Sequence, residues 1–384
     1  GSEMCIRDRF FAITWGLDIN IFSAHTMYKN RLVRAYLGAS LPNRSESADP
    51  FTAFNDGDDI WLAKLDEQRP IPILNTTLNM TGGDDLAWQT RRAASFVFTP
   101  KYVGYEARNS SGIDLGDYRR TYEYAAGRKV SAPEKDTGLK LGTAMAISGA
   151  AASPNMGYHT SAGISALLAA FNMRLGYWAG NPAQAPEGHG ETSWTAWRKR
   201  GPAIAAWPIL RELTGSANGE SQWVNLTDGG HFENLGIYEL VRRRCRLIVV
   251  TDAGCDPEHR FQDLANAVRK CWTDLGVHIY LPSIEDVAIK TNNGRYSKEH
   301  GCLGLIEYPD RKRGKFERYG ILLYLKSSLT KEDVAHFVDI RQYAKEHPAF
   351  PHETTGDQFF DEEQFEAYRH LGYCVAAHFR SLID

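Results

Sequence analysis

An aspartate followed by two glycines ends one of the apolar segments of this chain, in the sequence WVNLTDGGHFENLG. Glycines beside an acid leave the backbone open, so that another group can approach the carboxylate closely. Asp228 could therefore act as a general base, or as an acid that orients a nucleophile on a neighbouring loop. The alternative is a structural carboxylate that caps the following helix. The spacing of Asp228, Gly229 and Gly230 leaves both interpretations open.

Histidines and acids near the carboxyl end form a second candidate site. The segment HPAFPHETTGDQFFDEE places His347, His352, Asp357 and Asp361 close together in sequence, and these residue types are common zinc ligands. Their spacing matches no standard metal motif, and the prolines favour a rigid surface loop instead. A metal-dependent hydrolase built on this cluster remains an alternative function.

Two further features lie close to the aspartate in sequence. His231 could act as a base, although a histidine at the start of a helix more often caps or packs. The basic run RRRCR over residues 242–246 could face phospholipid head groups. A solvated helix end is the simpler interpretation of this run, because cations interact favourably with the carboxyl end of the helix dipole.

Strands and helices alternate around the aspartate. QWVNLT, RLIVVTDAG and VHIYLPS are typical of strands, and IYELVRRRC and RFQDLANAVRKCWTDLG of helices. This alternation predicts a parallel sheet covered on both faces, with its active edge at the carboxyl ends of the strands. Asp228 and Asp252 both fall at such ends, and we interpret Asp252 as structural.

Other segments predict the elements that would support this edge. Helical spacing is present in residues 23–40, in the small-residue run LGTAMAISGA and in AGISALLAAFNMRLGYWAG. PIPILNTTLNMTGG, RRAASFVFTP and GILLYLKSSL are typical of strands. The segment DEEQFEAYRHLGYCVAAHFRSLI predicts a long amphipathic helix.

The composition is that of a globular protein. Of 384 residues, 43% are hydrophobic and 24% charged, and the net charge of -3 gives no basic footprint for nucleic acid. The six cysteines form no CxxC pair, which favours reduced thiols and a reducing compartment. No apolar run has the length of a membrane span. We expect no metal and no other cofactor.

The segment LTDGGHFENLGIYELVRRRCRLIVVTDAG resembles the acid-bearing part of patatin-like phospholipases, and the resemblance extends to LGTAMAISGAAASPNMGYHTS and FPHETTGDQFFDEEQFEAYRHLGY. It is closest in character to the large bacterial branch. It implies a three-layer α/β/α patatin-like fold with a mainly parallel central sheet over residues 10–384. It also implies a Ser–Asp dyad that hydrolyses acyl esters of phospholipids or related lipids. Asp228 takes the place of the dyad acid, and Gly229 and Gly230 shape its turn. Such a substrate would place the full-length protein at a membrane surface, on the cytoplasmic side.

The nucleophile that the resemblance requires is missing. No GxSxG motif occurs, and the near misses are Ser40, Ser148 and Ser165. Ser148 lies in a run of small residues that favours a packing role, since a nucleophile elbow needs glycine on both sides.

The first nine residues, GSEMCIRDR, are interpreted as a non-native tail. We therefore expect a carboxyl-terminal portion of a hydrolase that carries the acid and is inactive alone. A non-catalytic lipid- or protein-binding domain of the same fold is the remaining alternative.

Overall fold

The structure is a computed structural model of the chain. It describes residues 18–21, 23–42, 48–51, 53–80, 92–106, 117–130, 134–151, 175–183, 195–204, 206–214, 216–219, 221–289, 295–309, 316–354 and 360–383. The contacts divide the chain into two compact units, Gly1–Phe232 and Glu233–Asp384. We call them the first and the second unit. The boundary falls in the turn that follows Asp228.

The first unit contains a six-stranded antiparallel sheet with the order β4-β3-β2-β1-β6-β5. Its strands are β1 Leu74–Asn79, β2 Ala93–Phe98, β3 Tyr102–Gly104, β4 Tyr118–Arg120, β5 Tyr177–Gly180 and β6 Trp223–Asp228. Its helices are α1 Ala24–Leu32, α2 Leu141–Ser148 and α3 Ala206–Thr214. Helix α1 continues through a π-helical turn, Val33–Leu37, and a 3-10 turn, Gly38–Ser40.

Helix α2 packs against the sheet at β1 and β6, and its small residues allow a close approach to its neighbours. A Cβ atom on Gly142 would lie 2.2 Å from a methyl group of Val33, so no larger residue fits there. Leu141, Ala144 and Ile147 are buried in the core that the sheet and α2 share. The prediction that the small-residue run forms a closely packed helix is confirmed for Leu141–Ser148.

The second unit contains a four-stranded sheet with the order β7-β10-β9-β8. Its strands are β7 Leu247–Asp252, β8 His278–Tyr280, β9 Gly301–Pro309 and β10 Phe316–Lys326. Its helices are α4 Ile237–Arg242, α5 Gln262–Leu275, α6 Ile284–Val287, α7 Lys331–His336, α8 Val338–Glu346 and α9 Glu362–Ile383. Helices α4 and α5 pack on one face of this sheet, and α9 packs on part of the other through Val375 and Phe379.

The α/β class is confirmed, but the prediction of a mainly parallel central sheet is wrong. Among the described strands, β7 and β10 form the one parallel pair, and all the other pairs are antiparallel. The strands that end at Asp228 and Asp252 belong to different sheets, because β6 pairs with β1 and β5 whereas β7 pairs with β10. Local periodicity identified these strands but carries no information about their partners.

One local prediction also differs from the structure. Residues 177–180, expected at the end of a helix, form strand β5 because their backbone pairs with β6. The rest of that predicted helix, up to residue 174, lies outside the described residues, as does Ser165. Strand β9 was not predicted. Among the helices that the structure describes, none has the length and apolar character needed to cross a membrane.

Candidate active site at the end of strand β6

Asp228 is the last residue of β6 and lies opposite Thr76 of the neighbouring strand β1. Its Oδ1 atom accepts a hydrogen bond of 2.7 Å from the backbone N–H of Gly230. This bond caps the single 3-10 turn Gly229–His231. The capping role considered for this aspartate is therefore present, and it occupies one carboxylate oxygen.

The second carboxylate oxygen is available to accept a proton. Within the described part of the chain, Oδ2 of Asp228 has no hydrogen-bond or ion-pair partner. The residue is half-buried, and this burial raises the pKa of Asp228, while the bond from Gly230 works in the opposite direction. A carboxylate with a raised pKa is a stronger base than an exposed one, and its free oxygen can take a proton.

The two glycines serve different purposes. A Cβ atom on Gly229 would lie 2.7 Å from the backbone oxygen of Asn75, so this position excludes any side chain. Gly229 is also fixed through its carbonyl oxygen, which accepts a hydrogen bond of 3.3 Å from the Thr77 hydroxyl. Gly230 contributes the N–H that holds Asp228. The turn therefore positions the aspartate by close packing on one side and by a hydrogen bond on the other.

The end of helix α2 lies beside this turn. The backbone N–H of Asp228 donates to the carbonyl oxygen of Ala150 at 3.4 Å. The hydroxyl of Ser148 donates to the carbonyl oxygen of Asn75 at 2.8 Å, the same oxygen that lies against Gly229. A carbonyl oxygen cannot act as the base that a serine nucleophile needs. In this arrangement Ser148 joins α2 to β1, which agrees with its interpretation as a packing residue.

Tyr28 of helix α1 is a neighbour that the sequence did not reveal. Its hydroxyl lies 2.5 Å from the point that a Cβ atom on Gly149 would occupy, directly after α2. Burial raises the pKa of Tyr28, and the negative charge of Asp228 raises it further. Tyr28 therefore stays a neutral phenol at physiological pH, and a neutral phenol can donate a hydrogen bond.

His231 is used in packing and not as a partner of the aspartate. Its Nδ1 atom lies 2.9 Å from the Thr227 hydroxyl, so the two share a hydrogen bond. Thr227 also accepts a bond of 3.0 Å from the amide of Asn79, and that amide donates to Asn225 at 2.7 Å. These hydrogen bonds connect β6 to strand β1 and to the turn.

The four residues considered as an alternative metal site are not brought together in the described part of the chain. His347 stacks on a tyrosine ring and lies 3.6 Å from the carboxylate of Glu353. His352 bonds instead to another histidine of the second unit, and Asp361 accepts from a backbone N–H near the start of α9. Asp357 lies outside the described residues. No group of three or more His, Cys, Asp or Glu side chains among the described residues is placed to hold a metal ion.

Asp252 has the hydrogen-bond and ion-pair partners that a buried structural acid requires. Its carboxylate accepts from Lys326 at 3.0 Å, from Tyr324 at 2.5 Å and from the backbone of Gly254 at 2.8 Å. Asp252 and Lys326 are both buried. The interpretation of Asp252 as structural agrees with this complete set of partners.

No family model matches the chain, and no curated protein matches it. Among solved structures, the chain is similar to human GIVD cytosolic phospholipase A2, with 14% sequence identity and a TM-score of 0.46. The similarity covers 98% of this chain and 53% of that protein, so the chain spans about half the length of the phospholipase. A TM-score below 0.5 does not define a common fold.

Proposed function

We propose that this chain carries the catalytic base of a serine lipid acyl hydrolase of the patatin-like class, and that Asp228 is this base. The observation that carries the proposal is the free Oδ2 atom of a half-buried aspartate whose pKa is raised. The substrate class is a phospholipid or another lipid with an acyl ester. The resemblance of the segment around Asp228, Gly229 and Gly230 to that family supports this choice of substrate.

The chemistry assigns each oxygen of the aspartate a separate task. As a serine attacks the ester carbonyl, Oδ2 of Asp228 takes the hydroxyl proton, and the protonated acid then gives this proton to the leaving alcohol. Water repeats the sequence on the acyl-enzyme and releases the fatty acid. Meanwhile Oδ1 stays bonded to Gly230, so the carboxylate keeps its orientation throughout. Partial burial raises the pKa of the carboxylate, which favours this proton transfer.

The nucleophile and the donors of an oxyanion hole belong to a different segment in this proposal. The 384 residues contain no GxSxG motif, and Ser148 directs its proton to the carbonyl of Asn75. We therefore propose a three-layer patatin-like domain to which residues 10–384 contribute the acid, in a full-length protein that acts at the cytoplasmic side of a membrane. A second candidate, a non-catalytic domain of this fold, is favoured by the capping bond of Asp228, which is useful without any chemistry.

The proposal predicts that the full-length protein contains a GxSxG serine, and the test uses that protein. Its turnover of a phospholipid should fall about 10³-fold or more when Asp228 is replaced by Asn, because loss of one member of a nucleophile–base pair removes most of the catalysis. Asp263→Asn in helix α5 is the matched control and should leave turnover unchanged. Equal turnover of the wild type and Asp228→Asn refutes the proposal. Absence of turnover despite an intact GxSxG serine favours the non-catalytic domain.

Ser148 is tested on the chain as it stands. We expect no hydrolysis of a short-chain acyl ester by the 384-residue chain. If hydrolysis occurs and is lost in both Ser148→Ala and Asp228→Asn, the nucleophile is Ser148, and the assignment of a separate nucleophile segment is wrong.

A further inference from the structure

The sheet of the second unit exposes an apolar row on the face opposite α4 and α5. Each of its four strands contributes one residue, and the strand register places these residues side by side. The members, which we call the outer row, are Leu247, Ile321, Leu305 and Tyr280, with exposed fractions of 59%, 50%, 40% and 49%. A contiguous apolar row of this kind on a soluble surface marks an interaction site more often than chance exposure.

The next row of the same face is only partly covered. Leu323 is buried because it packs against Val375 of helix α9. Its two neighbours in the register, Val249 and Leu303, are exposed. Helix α9 therefore protects the middle of this row and leaves the sides open, so that the outer row and its neighbours form one apolar surface.

Arginines surround the end of the sheet where β7 and β10 begin. Arg246 directly precedes Leu247, and Arg318 directly precedes the exposed Tyr319; both arginines are exposed. Arg244 lies over the ring of Tyr308, 5.3 Å from its centroid. The described charged side chains around this end include five arginines, at positions 242, 243, 244, 246 and 318, and three acids, Glu239, Asp274 and Glu307. Arg242 and Arg243 pair with Glu239, whereas Arg246 and Arg318 are exposed. This excess of positive charge contrasts with the net charge of -3 for the whole chain.

Aromatic side chains stand at the border of the apolar surface. Tyr319 and Tyr280 are exposed at opposite parts of the face, and Trp272 of α5 is exposed beside β8, where it stacks on His278 at 3.8 Å. Tyrosine and tryptophan are enriched at membrane–water interfaces, because one part of each ring system is apolar and another is polar. The aliphatic row suits the acyl chains of a bilayer, and its aromatic and arginine neighbours suit the level of the head groups.

We propose that the outer row and the arginines at its end dock on an anionic lipid surface. Leu247, Ile321 and Leu305 would enter the boundary between head groups and acyl chains, and Arg246 and Arg318 would contact lipid phosphates. The excess of arginine at this end is complementary to the negative charge of anionic lipid. The surface lies in the second unit and does not depend on the chemistry of Asp228, so failure of the proposed hydrolase would leave it standing.

Vesicle co-sedimentation of the 384-residue chain tests this docking. We expect binding to vesicles of phosphatidylcholine with 30% phosphatidylserine, and binding that is at least about tenfold weaker to pure phosphatidylcholine. The double variant Arg246→Gln/Arg318→Gln should bind the anionic vesicles about 20- to 30-fold more weakly, since each cation near such a surface contributes about 1 kcal/mol. The variant Lys331→Gln, at the start of helix α7, is the charge control and should bind as the wild type does.

The apolar contribution is tested by Ile321→Thr/Leu305→Thr, which keeps residues compatible with strands. We expect the binding of this variant to be weaker by a factor of about ten or more. Val338→Thr, at a more exposed apolar position on α8, should have no effect. Circular dichroism of each variant establishes that it is folded.

Two results would overturn the proposal. One is equal binding of the wild type and both double variants. The other is a concentration-dependent dimer in light scattering that Ile321→Thr/Leu305→Thr dissociates, because the face would then be an interface between copies of the chain.

Discussion

Two buried histidines of the second unit should make its stability depend on pH. The Nδ1 atom of His352 accepts a bond of 3.3 Å from the N–H of Asp256, so its proton is on Nε2. This proton is donated to Nε2 of His259, at 3.1 Å. His259 in turn donates from Nδ1 to the carbonyl oxygen of Val287 at 2.9 Å. Each imidazole therefore has one proton, and a second proton on His259 would remove the acceptor of the central bond.

The pKa shifts set the size of the effect. Burial, together with the neighbouring His259 and Lys326, lowers the pKa of His352 to about 4. Burial also lowers the pKa of His259, while Asp252 and Asp256 oppose this shift. The unfolded chain, with a histidine pKa of about 6.5, binds more protons at low pH. Stability is thus fully present above pH 6.5 and decreases towards pH 4, and His352 alone accounts for about 2 kcal/mol lost at pH 5.

Amide hydrogen exchange in strand β7 and in residues 254–261 measures this loss locally, after correction for intrinsic exchange rates. Protection in the wild type should fall by about 2 kcal/mol between pH 8 and pH 5. His352→Gln cannot be protonated and should lose most of this dependence, whereas His336→Gln, at an exposed site, should keep it. Protection that is constant from pH 8 to pH 5, or an unchanged pH dependence in His352→Gln, refutes the reasoning.

Substitutions at four other positions test the packing and the effect of burial on ion pairs. Gly229→Ala should destabilise the first unit by about 1–3 kcal/mol in thermal unfolding, because the new Cβ would meet a backbone oxygen of β1 at 2.7 Å. Gly372→Ala in helix α9, where a Cβ meets nothing within 4 Å, should instead stabilise by about 0.5–1 kcal/mol. Lys326→Met leaves the buried acid Asp252 without its cation and should cost about 3–5 kcal/mol in urea unfolding. Lys298→Met breaks an exposed ion pair and should cost less than about 1 kcal/mol; equal costs for the two lysines would contradict the importance of burial.

The elements near Asp228 could be predicted because their signals are local. Apolar runs bounded by glycine identified β6, α4, β7 and α5, and the acids of DEEQ identified the start of α9. The pairing of strands could not be predicted, since β6 bonds to β1 and β5, which are distant in sequence. Strand β9 escaped recognition because glycines at 301 and 304 interrupt its apolar alternation.

The candidate site, like the fold, was predictable only where its signal is local in sequence. Asp228 and its glycines form a short motif that can be recognised in the sequence. Each of the two interpretations corresponds to one carboxylate oxygen, because Oδ1 caps the turn and Oδ2 is available as a base. Tyr28, Asn75 and Ala150 gave no signal, because tertiary packing alone brings the two carbonyl oxygens to the turn and the phenol to the end of α2.

The most direct test of the central claim is an NMR titration of the Asp228 carboxyl carbon, with its signal assigned by comparison with Asp228→Asn. A half-buried base with one free oxygen should titrate above the ordinary aspartate pKa of about 3.9. The capping bond by itself acts in the opposite direction, since hydrogen bonds from backbone N–H groups favour the charged form of the carboxylate. A pKa above the ordinary value supports Asp228 as the base, and a pKa at or below it contradicts the account.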